Sequence, residues 1–356
     1  MFYKNDWCKN KHIDPVSICT FSNKFEEGNL GLFRPKKDLC DRCESFKTGN
    51  LDSENYEAHI LKKEESRMEK NNDKENKKYL TFTMDLQALL MCPKSTVSSL
   101  YYKMKLSVHN MTFFNLETKD GYCFLWNETE GGLSSNEFGT IISSFVLSLL
   151  PLPTDKEKII LYSDGCAYQN RSAIICNALL HIAITKKVVI EQKYLEVGHT
   201  QMEADSIHST IERRLRLRNI QVPADYISVI REARISQPYS VQYIEHSFFK
   251  SFNDHLFYRS VRPGKGVGAK CVSDVRAFMY HPEGIIKFKL NFSDNWSDLP
   301  QRRIMTMKPT NLQDIPNLLG NRRKIKKRKY DDLQDLKAIL PVDYHQFYDS
   351  IPFMDK

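Results

Sequence analysis

From residue 79 onward the chain alternates short apolar runs with turn residues, and the periods of those runs predict its elements. "YLTFTMDLQALL" (79–90), "YYKMKLSVHNMTFFNLE" (101–117) and "GYCFLWNET" (121–129) are rich in strand formers. The last two are joined by Thr118-Lys119-Asp120-Gly121, whose Asp-Gly pair signals a hairpin, so three antiparallel strands are the simplest reading. "SSNEFGTIISSFVLSLLP" (134–151) has Ser caps, an apolar body and a terminal Pro, the pattern of a buried helix. Residues 158–164 then read as a buried strand, 171–185 as a helix and 188–197 as a strand. A last helix spans 202–219, with acid at its start and Arg at its end, as the helix dipole favours. The order is β-β-β-α-β-α-β-α. The fourth and fifth strands are joined through helices and so run parallel, beside the antiparallel three in one mixed five-stranded sheet flanked by helices.

This is the order of elements in the ribonuclease H-like α/β fold. Its core takes in residues 79–220. Before it, residues 1–53 mix Trp, Phe, Pro and Cys with charge and read as a small N-terminal module. Residues 54–78 are polar nearly all round, the pattern of a solvated, charged helical linker. After the core, residues 221–300 form a C-terminal subdomain with the aromatic strand-like pieces "HLFYRSV", "AFMYHP" and "IIKFKLNF", and 301–356 form a basic tail with a terminal helix. No internal repeat is present.

Composition narrows the class. With 41% hydrophobic and 27% charged residues the chain reads as a globular protein, and no apolar run approaches the ~18 residues that span a bilayer, so no membrane partner is expected. The N-terminus lacks the apolar core of a signal peptide, which makes the Asn-x-Ser/Thr triplets at Asn110, Asn127 and Asn170 chance matches. The nine cysteines are scattered and read as reduced thiols, with only Cys40 and Cys43 at ligand spacing. Net charge is +8, and residues 301–330 carry ten Lys/Arg against one acid, Asp314. The stretch "RRKIKKRK" reads as a nuclear-import signal or a polyanion contact, or else as a solvated linker.

The ribonuclease H-like order gathers acids from the middle of strand 1, the end of strand 4 and the helix after strand 5. Those places hold Asp85, Asp164, and one of Glu203, Asp205 or Glu212. A carboxylate among Phe82, Met84, Leu86 and Leu89 is costly if buried unpaired, and a divalent metal would satisfy it. Two Mg2+ or Mn2+ ions, roughly 4 Å apart, suit such a set of hard oxygen ligands and clamp the attacking and leaving oxygens of a phosphoryl transfer. Asp205, His208, Ser209 and Glu212 share one helix face, which favours Asp205 as third acid, with Glu203 as its substitute.

Other residues extend the site. His199 and His208 are candidates for orienting the scissile phosphate or moving a proton, or are ordinary hydrogen-bonding residues beside the sheet. Gln169 and Asn170 read as a helix N-cap or as phosphate contacts. Arg213 and Arg214, continued by Arg216 and Arg218, and Lys265 in the loop "RPGKGVGAK" suit a nucleic-acid backbone. Residues 15–29, "PVSICTFSNKFEEGN", have the form of the second half of a helix-turn-helix. Cys40-x-x-Cys43 needs two more ligands for a structural Zn2+ site, with Cys8, Cys19 and His59 as candidates.

"FTMDLQ", "YSDGCAYQNRS" and "VGHTQMEADSIHSTIE", with "PKKDLCDRC" upstream and "VRPGKGVG" and "LPVDYHQFYDSIP" downstream, resemble a family of transposon-derived animal proteins, abundant in insects. The resemblance covers nearly the whole chain. It implies a transposase-like, ribonuclease H-like core with a metal-binding triad carried by Asp85, Asp164 and Asp205. In similar proteins longer regions precede the "PVS" segment. The expected function is that of a metal-dependent DNA nuclease or polynucleotidyl transferase, nuclear, acting as a homodimer or larger assembly. The alternative is a domesticated, catalytically inactive DNA-binding or scaffold protein. An actin-like phosphotransferase is disfavoured, since "TMDLQALL" carries no Gly-rich phosphate loop.

Overall fold

The computed structural model describes residues 8–28, 39–165, 170–200, 202–216, 218–302 and 308–355. Its strands are β1 (Tyr79–Leu86), β2 (Leu90–Cys92), β3 (Leu106–Asn115), β4 (Gly121–Asn127), β5 (Lys158–Ser163), β6 (Val189–Tyr194), β7 (Ser240–Tyr243), β8 (Ala277–Tyr280), β9 (Ile286–Lys289) and β10 (Ser297–Asp298). The helices are α1 (Cys8–Lys11), α2 (Ile18–Glu27), α3 (Asp41–Lys47), α4 (Ser53–Glu75), α5 (Ser99–Tyr102), α6 (Ser135–Ser148), α7 (Ala173–Lys186), α8 (Ala204–Leu215), α9 (Asp225–Ala233), α10 (Lys327–Leu336) and α11 (His345–Asp349).

One mixed sheet of ten strands organises the chain, in the order β10-β9-β8-β6-β5-β1-β3-β4-β7 with β2 paired to β3. Its centre runs antiparallel from β1 through β3 to β4, and parallel from β1 through β5 to β6. Ten strands replace the expected five because both edges are extended. β7 adds parallel to β4, and β8, β9 and β10 continue antiparallel from β6, so the "AFMY" and "IKFK" pieces belong to the same sheet. "HLFYRSV" forms no strand. The run 79–90 is broken between β1 and β2, and the 101–117 run begins with the helical turn α5 before β3.

The two faces of the sheet differ because the strands alternate. In β1, Leu80, Phe82, Met84 and Leu86 fall on one face and Thr81, Thr83 and Asp85 on the other. The first face joins Met111, Phe113, Phe124 and Trp126 of the neighbouring strands and is covered by α6 and α7, with Phe138, Ile141, Ile142, Phe145, Ile175, Leu179 and Leu180 in one core. α6 starts at a capping box in which Ser134 accepts from the Asn136 amide and Glu137 accepts from the Ser134 amide at 3.1 Å. α7 starts at Ser172, whose hydroxyl accepts from Ile175 N at 3.2 Å.

The second face mixes buried charge with a small apolar cluster of Ile160, Tyr162, Leu195 and Met202, and α4 lies across it. This overturns the reading of 54–78 as a solvated linker. His59, Ser66, Lys70 and Asp73 of α4 are buried, and Tyr162 of β5 donates to Asp73 Oδ2 at 2.5 Å. The Lys193 ammonium on β6, 4% exposed, reaches Glu69 at 2.5 Å, Asp73 at 2.6 Å and Glu191 at 3.3 Å. A helix can thus be polar all round and still pack, provided the strand beneath presents opposite charge, here Lys193 to Glu69 and Asp73.

A second core closes the other end of this face. Ile207, Ile211 and Leu215 of α8 and Tyr226 and Ile230 of α9 meet Val108 and Leu125 of the sheet, together with Leu333, Leu336, Tyr348 and Ile351 of the C-terminal segment. The basic run is partly neutralised there: Arg322 pairs with Glu130 at 2.9 Å and Lys329 with Glu128 at 2.6 Å. Among the described residues, no helix is long and apolar enough to cross a membrane.

Lys193→Met leaves Glu69 and Asp73 without their buried cation, while Glu191 keeps Lys158 at 2.6 Å. The expected loss is about 3–5 kcal/mol in urea unfolding. Lys47→Met, which breaks an exposed pair with Glu44 that solvent screens, is expected to leave the urea midpoint unchanged.

Candidate functional site

Parallel pairing sets the first two acids side by side. Thr83 of β1 is the partner of Tyr162 of β5, and Asp85 and Asp164 each lie two residues further on, hence on the same face. Asp205, in the first turn of α8, closes over them. The three carboxylates line one cavity of ≈ 410 Å³ together with Gly165, Val197, Gly198, Thr200 and Met202. Crowding has an electrostatic consequence. Burial, then the neighbouring Asp205 and Asp164, push the Asp85 carboxyl up to about 7.

His208 belongs to the same group. Its Nδ1 lies 4.0 Å from an oxygen of Asp85 and 4.0 Å from one of Asp205, and one donor atom from each of these residues falls within 4.8 Å of the others. The ring is steered from behind by Thr112, the cross-strand partner of Asp85, at 3.0 Å from Nε2. Burial holds the imidazole down at about 4, so at neutral pH it is uncharged and does not offset the carboxylates.

Asp164 is positioned by Asn170, whose side-chain amide donates to Oδ1 at 2.6 Å. Asn170 is itself buried, and its carbonyl accepts from Gln192 Nε2 and Tyr194 OH, each at 2.8 Å. Asn170 therefore orients an acid, and the N-cap of α7 is Ser172. Gln169 lies outside the described residues. Gly165 leaves room for the buried Arg171: a Cβ there would stand 2.9 Å from Nη2, while Nη1 donates to the Ser273 carbonyl at 2.5 Å.

Several expected site residues sit elsewhere. Glu203 accepts from Lys70 of α4 at 3.1 Å and does not line the acid cavity, which makes Asp205 the helix acid that faces Asp85. Glu212 is exposed on α8. Arg214 is paired with Glu232 of α9 at 2.7 Å, and Arg213 is exposed beside it. Lys265 is exposed in its loop. α2 does form within 15–29, with Ile18 exposed.

The largest relocation is that of His199. It stands in a second ligand-type group with Cys40, Cys43 and His59, whose donor atoms all lie within 4.8 Å of one another. Cys8 is buried outside this group and Cys19 is exposed, so neither takes the place that the spacing of the N-terminal residues offered it. Nothing in the sequence around His199 separates the two roles, since it stands 140 residues from His59. A polar groove of ≈ 770 Å³ runs beside this group, its wall carrying Arg42, Lys62 and Lys270 together with the acids Asp41 and Asp274, and it meets the acid cavity at Gly165, Val197 and Gly198.

The raised Asp85 carboxyl has a definite sign in stability. Between about 4 and about 7 this group binds more protons in the folded protein than in the unfolded chain, so its contribution to metal-free stability falls as pH rises through that window. The lowered His208 contributes in the opposite direction between about 4 and 6.5, so the Asp85 effect is read as the difference in thermal unfolding in EDTA between the unaltered protein and Asp85→Asn, which is expected to fall from pH 4 to pH 7. An Asp85→Asn profile as steep as the original would contradict the assignment.

Residues 99–256 match one protein family, a domain of unknown function (DUF7869). The matched stretch runs from α5 through β7 and contains Asp164, His199, Asp205 and His208, while Asp85, Cys40, Cys43 and His59 precede it. No curated protein matches the chain. The similarity is thus to a domain defined by its sequence, over the part of the chain that carries two of the three acids.

Proposed function

We propose that the protein is a metal-dependent nuclease or polynucleotidyl transferase acting on DNA, of transposase origin, nuclear, and built on a ribonuclease H-like core. The observation that carries this reading is the convergence of Asp85, Asp164 and Asp205 on one cavity, with Asp85 pushed up to about 7. Carboxylates held that close repel one another, and a neutral His208 gives no relief. Hard divalent cations fit this donor set, and Asp85, Asp164 and Asp205 would hold them, with His208 as a further donor. Bound Mg2+ or Mn2+ would supply charge stabilisation for the attacking and leaving oxygens of a phosphodiester.

The order β4-β3-β1-β5-β6 at the centre of the sheet, with an acid at the end of the middle strand, supports the ribonuclease H-like reading. The protein's own residues prepare the site. Asn170 keeps Asp164 turned to the cavity, and Thr112 keeps the Nδ1 edge of His208 turned to Asp85 and Asp205. The adjoining groove offers Arg42, Lys62 and Lys270 to a phosphate backbone, which supports DNA over a small substrate. Water or a 3′-hydroxyl would attack phosphorus in line, forming one P–O bond as the bond to the leaving oxygen breaks, without a covalent enzyme intermediate.

Labelled duplex DNA incubated with the protein and Mg2+ or Mn2+ is expected to be cleaved or joined. Asn170→Ala is expected to lose about 10–100-fold in rate, the usual effect of removing a partner of a metal ligand, and Asp164→Asn more than that. DNA affinity should stay within about twofold for both, since the groove carries the phosphate contacts. No metal-dependent cleavage or joining by the unaltered protein, with DNA bound equally well, would overturn the reading in favour of an inactive DNA-binding scaffold.

A further inference from the structure

We propose that Cys40, Cys43, His59 and His199 form a closed structural zinc site that staples the N-terminal segment onto the loop leading to the third acid. The local sequence prepares half of it. Cys40 is the N-cap of α3 and Cys43 lies in its first turn, so the two thiols, three residues apart on a helical start, face the same side. His59 comes from α4, which folds back beside α3. His199 comes from the far end of the sheet, in the loop between β6 and α8.

Three of the six donor separations stand close to the edges of a coordination tetrahedron, and all four donors lie within 4.8 Å of one another. Cys40 Sγ to His59 Nε2, Cys43 Sγ to His199 Nε2 and His59 Nε2 to His199 Nε2 are each 3.2 Å. Bond lengths of about 2.0 Å to nitrogen and about 2.3 Å to sulfur give tetrahedral edges of roughly 3.3–3.7 Å. Two thiolates and two neutral imidazoles also cancel the charge of Zn2+, which suits a site where Cys40 and His59 are buried. Four protein donors leave no open position, the mark of a structural site.

The second independent observation is the partner of His59. Its Nδ1 lies 3.2 Å from Glu196 Oε1, and Glu196 is in turn paired with Arg276. A carboxylate held by an arginine accepts only, so Nδ1 carries the ring proton and Nε2 presents a lone pair toward the two sulfurs and His199. A carboxylate behind a histidine is how metal-ligating imidazoles are usually fixed.

The site grips the catalytic loop. Gly198, at φ +77°, packs so closely on Cys40 that a Cβ would stand 2.8 Å from the Cys40 Cβ. Val197, Gly198 and Thr200 on either side of His199 line the acid cavity, and Asp205 follows in the first turn of α8. Zinc would therefore fix the approach of Asp205 without touching substrate. The proposal does not rest on the phosphoryl-transfer reading, because the four ligands lie outside the acid cavity.

Metal analysis of the full chain, purified under reducing conditions from zinc-supplemented cells, is expected to find about one zinc per chain. Cys43→Ser and His199→Ala should lose it, while Cys8→Ser, Cys19→Ser and Asp85→Asn keep it. Because a ligand variant can fail to fold, the unaltered protein is also stripped and titrated with Co2+, which should give the intense visible bands of a tetrahedral site with thiolate ligands. Hydrogen exchange of the stripped protein should rise at residues 39–60 and 195–205 and not in β3 and β4. Zinc retained by His199→Ala, a Co2+ complex lacking tetrahedral bands, or unchanged exchange at 195–205 would each overturn the proposal.

Discussion

Everything at the acid cavity depends on the parallel pairing of β1 with β5. That register puts Asp85 and Asp164 at equal distances beyond the partners Thr83 and Tyr162, so two carboxylates must share one small volume. A slip of one residue would turn one of them into the apolar core beneath α6 and α7. The register is held because the opposite face is so strongly apolar: Phe82, Met84, Ile159 and Leu161 are all buried in the same core. Hydrophobic burial on one side of the sheet thereby enforces electrostatic crowding on the other.

That crowding shapes the second face. A sheet surface carrying Asp85, Glu191 and Lys193 cannot be covered by an ordinary amphipathic helix, because buried charge without partners costs more than the packing returns. α4 answers with Glu69, Lys70 and Asp73, and Lys193 bridges three carboxylates. Toward the open end of the face the compensation stops. There the acids converge without a neutralising imidazole, and the strain appears as the raised Asp85 carboxyl.

The loop after β6 joins the two chemistries. Leu195 N donates to Ser163 O at 3.0 Å, which ties the start of the loop to the end of β5 just before Asp164. Within a few residues Glu196 and His199 turn to the Cys40 and His59 side, while Val197, Gly198 and Thr200 turn to the acids. Such a loop cannot move at one end without disturbing the other. Asp205, reached only through it, depends on both.

Much of the central sheet was legible in the sequence, since apolar periods of two and 3.6 are local signals, and Asp85 and Asp164 could be named from their places in that order, while the third acid stayed open among Glu203, Asp205 and Glu212. The second group was half legible: Cys40-x-x-Cys43 announces itself and His59 lay among its candidates, but His199 did not. Nor did the role of α4, whose polar surface reads as solvated until Lys193 is known to face it. The ten-stranded extent of the sheet also escaped, because β7 and β8 to β10 are short and take their place from pairing with β4 and β6. By itself the sequence determined which residues alternate in and out and where carboxylates end strands, for those depend on neighbours a few positions away. Only the tertiary structure decided which distant charges and ligands meet, because a pairing across more than a hundred residues follows from how the sheet closes and leaves no periodic trace in the chain.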